Sequence, residues 1–264
     1  MVSSLKRAIL GLLEIAYGLY AVAAFLVCGL ATFALVLLPL GITARRHMAH
    51  FAAQAFFRLA GMPIRMIDTQ HLPAGPCVVV ANHASYLDGV VLKAALPARF
   101  SFVIKKEVSR VPLAGSVLRR IGSEFVDRFN RHAGGMDARR LFKAAETGQA
   151  LAFFPEGTFL AQPGLGKFHT GAFAIAARAA LPIVPIAIRG TRHVLPSGRF
   201  LPRPGRIQIQ VMPPLAPLTD LDSTIATAQL RDQARARILT ALDEPDLSDT
   251  DGVAELQARR PETG

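Results

Sequence analysis

The sequence predicts an α/β fold, a largely parallel sheet flanked by helices, behind an N-terminal membrane-embedded helical segment. Three observations predict it. Strand-like and helix-like runs alternate from Pro63 onward, the rhythm of βα units in a parallel sheet. An uncharged apolar run from Ile15 to Leu38 is long enough to cross a bilayer as one helix. Polar residues stand just after several expected strands, where sites collect in open α/β sheets.

In chain order, Lys6 and Arg7 precede an almost uninterrupted apolar region from Ala8 to Ile42. With Glu14 near one end and Pro39 near the other, it exceeds a single crossing, so a tilted span and a hairpin dipping into one leaflet both fit. A cleaved signal peptide fits less well, because the apolar core is too long and no small-x-small site follows. Basic pairs on both sides, Lys6/Arg7 and Arg45/Arg46, leave orientation open. From Thr43 to Leu59, Arg45, Arg46, His50 and Arg58 alternate with Met48, Phe51, Phe56 and Leu59. Such an amphipathic helix suits either the headgroup layer or an ordinary domain surface. Residues 1–59 are therefore read as a membrane anchor.

The α/β domain is read as residues 60–243. Its expected strands are Ile64–Ile67, Cys77–Ala81, Phe100–Ile104, Ser123–Val126, Ala150–Phe154, Ile183–Ile188 and Ile207–Met212. Helical runs lie at Asp88–Leu96, Leu113–Ile121, Gly135–Thr147 and Lys167–Ala180. Beyond Pro213, Pro214 and Pro217 comes a helix over Ser223–Leu242, with Ile225, Leu230, Ala234, Ile238 and Leu242 along one side. Residues 244–264 are polar, hold Pro245 and Pro261, and read as a mobile tail.

Composition narrows the partners. A 264-residue chain that is 51% hydrophobic can bury a large core, and a mean hydropathy of +0.33 points to a membrane segment. A formal charge of +11 calls for an anionic partner. Nucleic acid fits poorly, since the chain has no Trp, 3 Tyr and no zinc, RNP or basic-zipper pattern. Lipid headgroups suit the hydrophobicity better. Cys28 and Cys77 both lie in apolar runs and read as reduced thiols, and the His residues show no metal-ligand spacing.

The candidate active centre follows the strand at Cys77–Ala81. His83 sits on the bend into a helix, and Ser85 with Asp88 has capping-box spacing. In an unbroken helix, positions five apart point about 140° away from each other. Across a bend, Asp88 can swing back toward His83, and an imidazole held by a carboxylate presents its other nitrogen as a base. Taken alone, the pair reads better as a capped helix start with a partly buried histidine than as a catalytic pair. Further patches give it company: Lys105 and Arg128 after two strands could grip a phosphate. In Phe154-Pro155-Glu156-Gly157-Thr158, the glycine permits close backbone approach and Glu156 can accept from hydroxyls. A last patch runs from Lys167 to Ala172 and on to Pro182 and Pro185, which flank a short apolar stretch that could be a pocket wall or an edge strand.

In this order and spacing the patches resemble the glycerolipid acyltransferase superfamily, most closely the 1-acyl-sn-glycerol-3-phosphate acyltransferases. Asn82-His83, four residues, Asp88 is similar to the first motif of that family. Gly122 through Phe125 to Arg128 is similar to the second, with Lys105 in the approach to it. Phe154-Pro155-Glu156-Gly157-Thr158 looks like the third and Val184-Pro185 like the fourth. One departure is Phe159, where the family often has arginine or serine. The resemblance implies His83 and Asp88 as the catalytic pair, and Asn82, Lys105, Arg128, Glu156, Gly157 and Thr158 on the acceptor. It also implies no metal or organic cofactor, with acyl-CoA or acyl-carrier protein as donor substrate. Membrane lipids and a lysophospholipid acceptor would be the partners, at the cytoplasmic face of the inner membrane in a bacterium.

The expected reaction is acyl transfer to the free sn-2 hydroxyl of 1-acyl-glycerol-3-phosphate, giving phosphatidic acid by His-Asp general-base catalysis. The alternative that Phe159 leaves open is the same chemistry on another lysolipid, such as a lyso-aminolipid. A non-catalytic anionic-lipid-binding module would leave the polar strand ends without a role. A serine hydrolase lacks its Gly-x-Ser-x-Gly elbow.

Overall fold

The computed structural model describes residues 2–127, 131–159 and 161–248. Its helices are α1 (Val2–Leu37), α2 (Ile42–Leu59), α3 (Asp88–Ala95), α4 (Ala114–Arg120), α5 (Arg131–Glu146), α6 (Gly171–Arg178), α7 (Thr191–Val194) and α8 (Ser223–Leu242). Its strands are β1 (Ile64–Ile67), β2 (Val78–Ala81), β3 (Ser101–Lys105), β4 (Glu124–Val126), β5 (Leu151–Phe153), β6 (Ile183–Arg189) and β7 (Ile207–Val211). Each expected strand and helix forms, with ends shifted by a few residues. The elements gather into two compact units. One comprises Met1–Ile67, Ser85–Asp137 and Arg189–Ile209, the other Asp68–Ala84, Ala138–Ile188 and Gln210–Gly264.

In the second unit β2 lies between β5 and β6 and runs parallel to both, with Val79 opposite Ala152 on one side and Val184 on the other. Val78, Val79 and Val80 are fully buried, the signature of a parallel strand covered on both faces. β6 is therefore no edge strand, although Pro185 stands in it opposite Val80. Proline is tolerated there because only its carbonyl is needed, and that oxygen accepts from Met212 N–H at 3.0 Å. Helix α8 packs on α6, burying Ala226, Leu230, Ala234, Ile238 and Leu242, while Asp222 caps its start by accepting from Thr224 N–H at 2.8 Å. Of the expected anchored side, only Ile225 is exposed.

The start of the expected mobile tail is tied down. Glu244 accepts from Gly164 N–H at 2.8 Å, while Leu165 N–H donates to Pro245 O and Leu165 O accepts from Leu247 N–H, each at 3.0 Å. Arg235 pairs with Asp246 while donating to Leu165 O and Gly166 O. Those bonds hold the Asp246 carboxyl below the usual carboxylate range. Residues 249–264 of that tail lie outside the described residues.

In the first unit the apolar run is one continuous helix of 36 residues, and the hairpin is made by α2 folding back along it. Tyr17 OH donates to Ala60 O at 2.7 Å and Tyr20 OH to Leu59 O at 2.9 Å, while Val36 packs with Ala49 near the hairpin's turn. The buried stripe of α1 is mostly small: Gly18, Ala21, Ala24, Thr32 and Val36. Small residues let the helices approach closely and send Leu12, Leu13, Leu19, Leu26 and Leu30 outward.

Helix α2 turns its polar side inward. Arg46 donates to Ile121 O at 2.9 Å and Arg99 O at 3.1 Å, and it also pairs with Ser101 Oγ. His50 Nδ1 bonds Lys93 O, and Gln54 donates to Ala94 O. Arg46 and His50 thus behave as domain residues, not headgroup ligands. Within the first unit, α2 packs on α3, and α1 on α4.

Candidate active site

The site in the second unit is built at the carboxyl end of β2. Where the backbone leaves the ladder after Ala81, the Asn82 carboxamide takes over. Its Nδ2 donates to Ile188 O at 3.0 Å and its Oδ1 accepts from Ile188 N–H at 2.7 Å. This side chain imitates a peptide group and keeps both polar atoms of a buried residue satisfied. Sequence reasoning placed Asn82 on the acceptor; here its amide is engaged by β6, and it sets the direction in which the chain leaves the sheet.

His83 comes next and is fixed twice. Its backbone N–H donates to Glu156 Oε1 at 2.6 Å, and Glu156 Oε2 accepts from Gly166 N–H at 2.9 Å. Glu156 is only 9% exposed, so these charge-assisted bonds offset the cost of burying its carboxylate. The His83 ring stacks on Phe154, with centroids 4.4 Å apart and planes 21° apart, and meets Phe159 edge-on at 4.7 Å. Aromatic contacts at these separations restrict the ring's plane.

Glu156 reaches that position through a tight turn after β5. Gly157 N–H closes it on Phe154 O at 3.0 Å, and Gly157 adopts φ +78°, where a side chain would strain the backbone. Thr158 is exposed beside it. Glu156 was expected on the acceptor; its observed contacts make it a strap for the His83 backbone.

In the first unit, α3 begins at Asp88, which is fully buried. Ser85 N–H donates to Asp88 Oδ2 at 2.8 Å, the carboxylate half of the expected capping box. The other half is altered: Ser85 Oγ accepts from Leu87 N–H and donates to Leu195 O at 2.7 Å. Lys105 ends β3, half-buried, level with Val126 of the parallel β4. Lys106 forms an ion pair with Asp127 at 3.3 Å. Gly122, which opens the second motif, has φ +71°, and a Cβ there would come within 2.5 Å of Ile42 Cδ1. Arg128 lies outside the described residues.

The structure thus gathers Asn82, His83, Glu156, Gly157 and Thr158 in one unit, and holds Asp88 and Lys105 in the other. Sequence reasoning missed the aromatic clamp and the role of Gly166. The signal was present in part, because Phe154 and Phe159 bracket Glu156 and Gly157.

Residues 63–189, which include every one of these candidates, match the family model for acyltransferases. Over 203 residues the chain is 31% identical to a lyso-ornithine lipid O-acyltransferase of Pseudomonas aeruginosa, covering 69% of this chain and 74% of that one. The chain belongs to the acyltransferase family. A chloroplastic 1-acyl-sn-glycerol-3-phosphate acyltransferase of Brassica napus is 33% identical over 159 residues, 58% of this chain and 46% of the relative. The chain spans about half the length of the plant relatives it matches. The crystal structure of a 1-acyl-sn-glycerophosphate acyltransferase from Thermotoga maritima superposes with TM-score 0.70 and 22% identity, covering 97% of this chain and 100% of the other. That likeness is one of fold, and it agrees with an acyltransferase built on a mostly parallel sheet.

Proposed function

We propose that the chain moves an acyl group from a thioester, acyl-CoA or acyl-carrier protein, to the free hydroxyl of 1-acyl-glycerol-3-phosphate, giving phosphatidic acid. The observation that carries this reading is the double fixation of His83, by Glu156 on its backbone and by two phenylalanines on its ring. A hydroxyl is a weak nucleophile near neutral pH, so it loses its proton as it attacks. In this reading His83 takes that proton, the new C–O bond forms at the thioester carbonyl, and the C–S bond breaks. The imidazolium then returns its proton to the departing thiolate. Asp88, five residues on, orients the ring and stabilises the imidazolium. Lys105 and Arg128 take the acceptor phosphate, and Gly157 and Thr158 its glycerol end.

The same reading seats α1 in one leaflet. Within Leu5–Leu37 the most apolar stretch has a mean hydropathy of 2.4 and is 17% buried. Two points of α1 are docked within the first unit, Glu14 against Arg199 and Val36 against Arg120. Those points lie roughly 33 Å apart along the helix axis. A helix pinned flat along a folded flank suits the interface plane better than an upright span.

The test is thiol release from acyl-CoA by the purified chain in micelles containing lysophosphatidic acid. Release that needs the lysolipid supports the reading; none with any lysolipid rejects it. A second acceptor has its own support. Phe159 puts an apolar ring beside His83, where a phosphate-binding side chain would otherwise stand, and one relative is named for a lyso-ornithine lipid. A panel of lysolipids separates the two, and Phe159→Arg should shift preference several-fold toward the phosphate acceptor.

A further inference from the structure

The loop between α7 and β7 takes no part in the chemistry above, yet it is built onto the apolar helix. Arg199 Nη2 lies 3.1 Å from Glu14 Oε2, and Arg203 Nε lies 3.6 Å from Glu14 Oε1. Glu14 is the one acidic residue of α1, so two guanidinium groups neutralise the charge that would otherwise sit in its apolar surface. One turn further on, a Cβ at Gly18 would stand 2.7 Å from Leu201 Cβ, so the missing side chain is what lets the loop close on the helix.

The loop tip is held in shape. Arg199 N–H donates to Pro196 O at 3.2 Å, Arg199 Nε to Leu201 O at 2.7 Å, and Arg203 N–H to Val194 O at 2.8 Å. Between the docked Arg199 and Leu201 stands Phe200, 91% exposed, above every other exposed large hydrophobic among the described residues. A bonded loop thus presents this ring to the surroundings and leaves it uncovered by the described residues of its own unit. Arg206 adds an exposed cation to the same loop.

We infer that this loop is a second membrane contact, distinct from the helix hairpin. Phe200 would sit at the headgroup–acyl boundary, while Arg199, Arg203 and Arg206 would lie at the level of anionic lipid phosphates. The Glu14 cluster would then lie at headgroup level on the docked side of α1, with the exposed leucines of the same helix facing the acyl layer. This inference rests on the reading of α1 as bilayer-seated.

The chain has no tryptophan, which makes the test direct. Phe200→Trp places a single indole at the loop tip, and Leu19→Trp places one on the exposed face of α1. Each full-length variant is reconstituted in vesicles of phosphatidylcholine and phosphatidylglycerol at 3:1, with brominated acyl chains as quenchers. The expected result is a blue-shifted emission quenched by bromolipid in both variants. Water-like emission from the loop-tip indole, open to iodide, with the helix indole quenched would overturn the loop contact alone. Loss of quenching in both variants would overturn the membrane reading with it. Replacing phosphatidylglycerol by phosphatidylcholine should weaken quenching of the loop-tip indole and leave the helix indole unchanged. Equal quenching of the loop tip in both vesicles would remove the arginines from the contact.

Discussion

The tip of β2 and the outer face of α1 break opposite rules of folding. At the tip, Asn82 and Glu156 are polar and buried, with each side chain bonded to backbone groups. On α1, leucines that would ordinarily fill a core face outward. The polar groups at the tip are satisfied within the fold by backbone partners, whereas the apolar face of α1 has no such partner among the described residues and becomes reasonable once hydrocarbon is supplied. Buried polar groups fix geometry, and exposed apolar groups invite a partner.

His83→Ala should lower acyl transfer by about 10²–10⁴-fold while leaving vesicle binding unchanged. Near-normal turnover would remove His83 as the base. Asn82→Ala leaves Ile188 N–H and C=O unpaired and buried, which costs about 1–3 kcal/mol for each group. Thermal unfolding in detergent should register that loss, and Asn82→Asp should recover part of it by restoring the acceptor alone. Glu156→Gln keeps shape and removes charge, but its NH2 must face one of two backbone N–H donors. A fall in rate of about tenfold or more is expected, corresponding to at least about 1.4 kcal/mol, with KM for the acceptor little changed.

A buried charge outside the site makes the opposite case, because burial disfavours it. Lys93 is partly buried beneath α2, over the ring of Phe102, and burial with the charge of Arg46 pushes its pKa down to about 8. Its folded value lies below the usual 10.5, so the unfolded chain binds its proton more tightly. Wild-type stability should therefore rise as pH climbs from 8 toward 10.5. Lys93→Met should stabilise the protein by about 1–3 kcal/mol at pH 7, with the gain fading by the top of that range. Unfolding midpoints of both proteins across that range check the sign.

Much of the α/β framework was legible because β-branched runs and helical apolar spacing are local signals, and Val78–Val80 or Ser223–Leu242 carry them strongly. Less legible were features set by distant partners. Nothing near Asn82 announces Ile188, and nothing near Glu156 announces that its two oxygens would bind backbone at His83 and Gly166. The sequence leaves Arg46 and His50 open between headgroups and a domain surface, because periodicity reports a face, not what covers it; their partners at Ile121, Arg99 and Lys93 lie far along the chain. Residues 244–248 looked mobile by composition, yet Arg235 and Leu165 hold them.

The central claim is that the imidazole of His83 receives the acceptor's proton. A crystal structure of the chain with a bound lysolipid tests it most directly. The account predicts the acceptor hydroxyl within about 2.6–3.2 Å of a ring nitrogen of His83, with the ring still between Phe154 and Phe159. A headgroup seated in the site with its hydroxyl turned toward another base would contradict it.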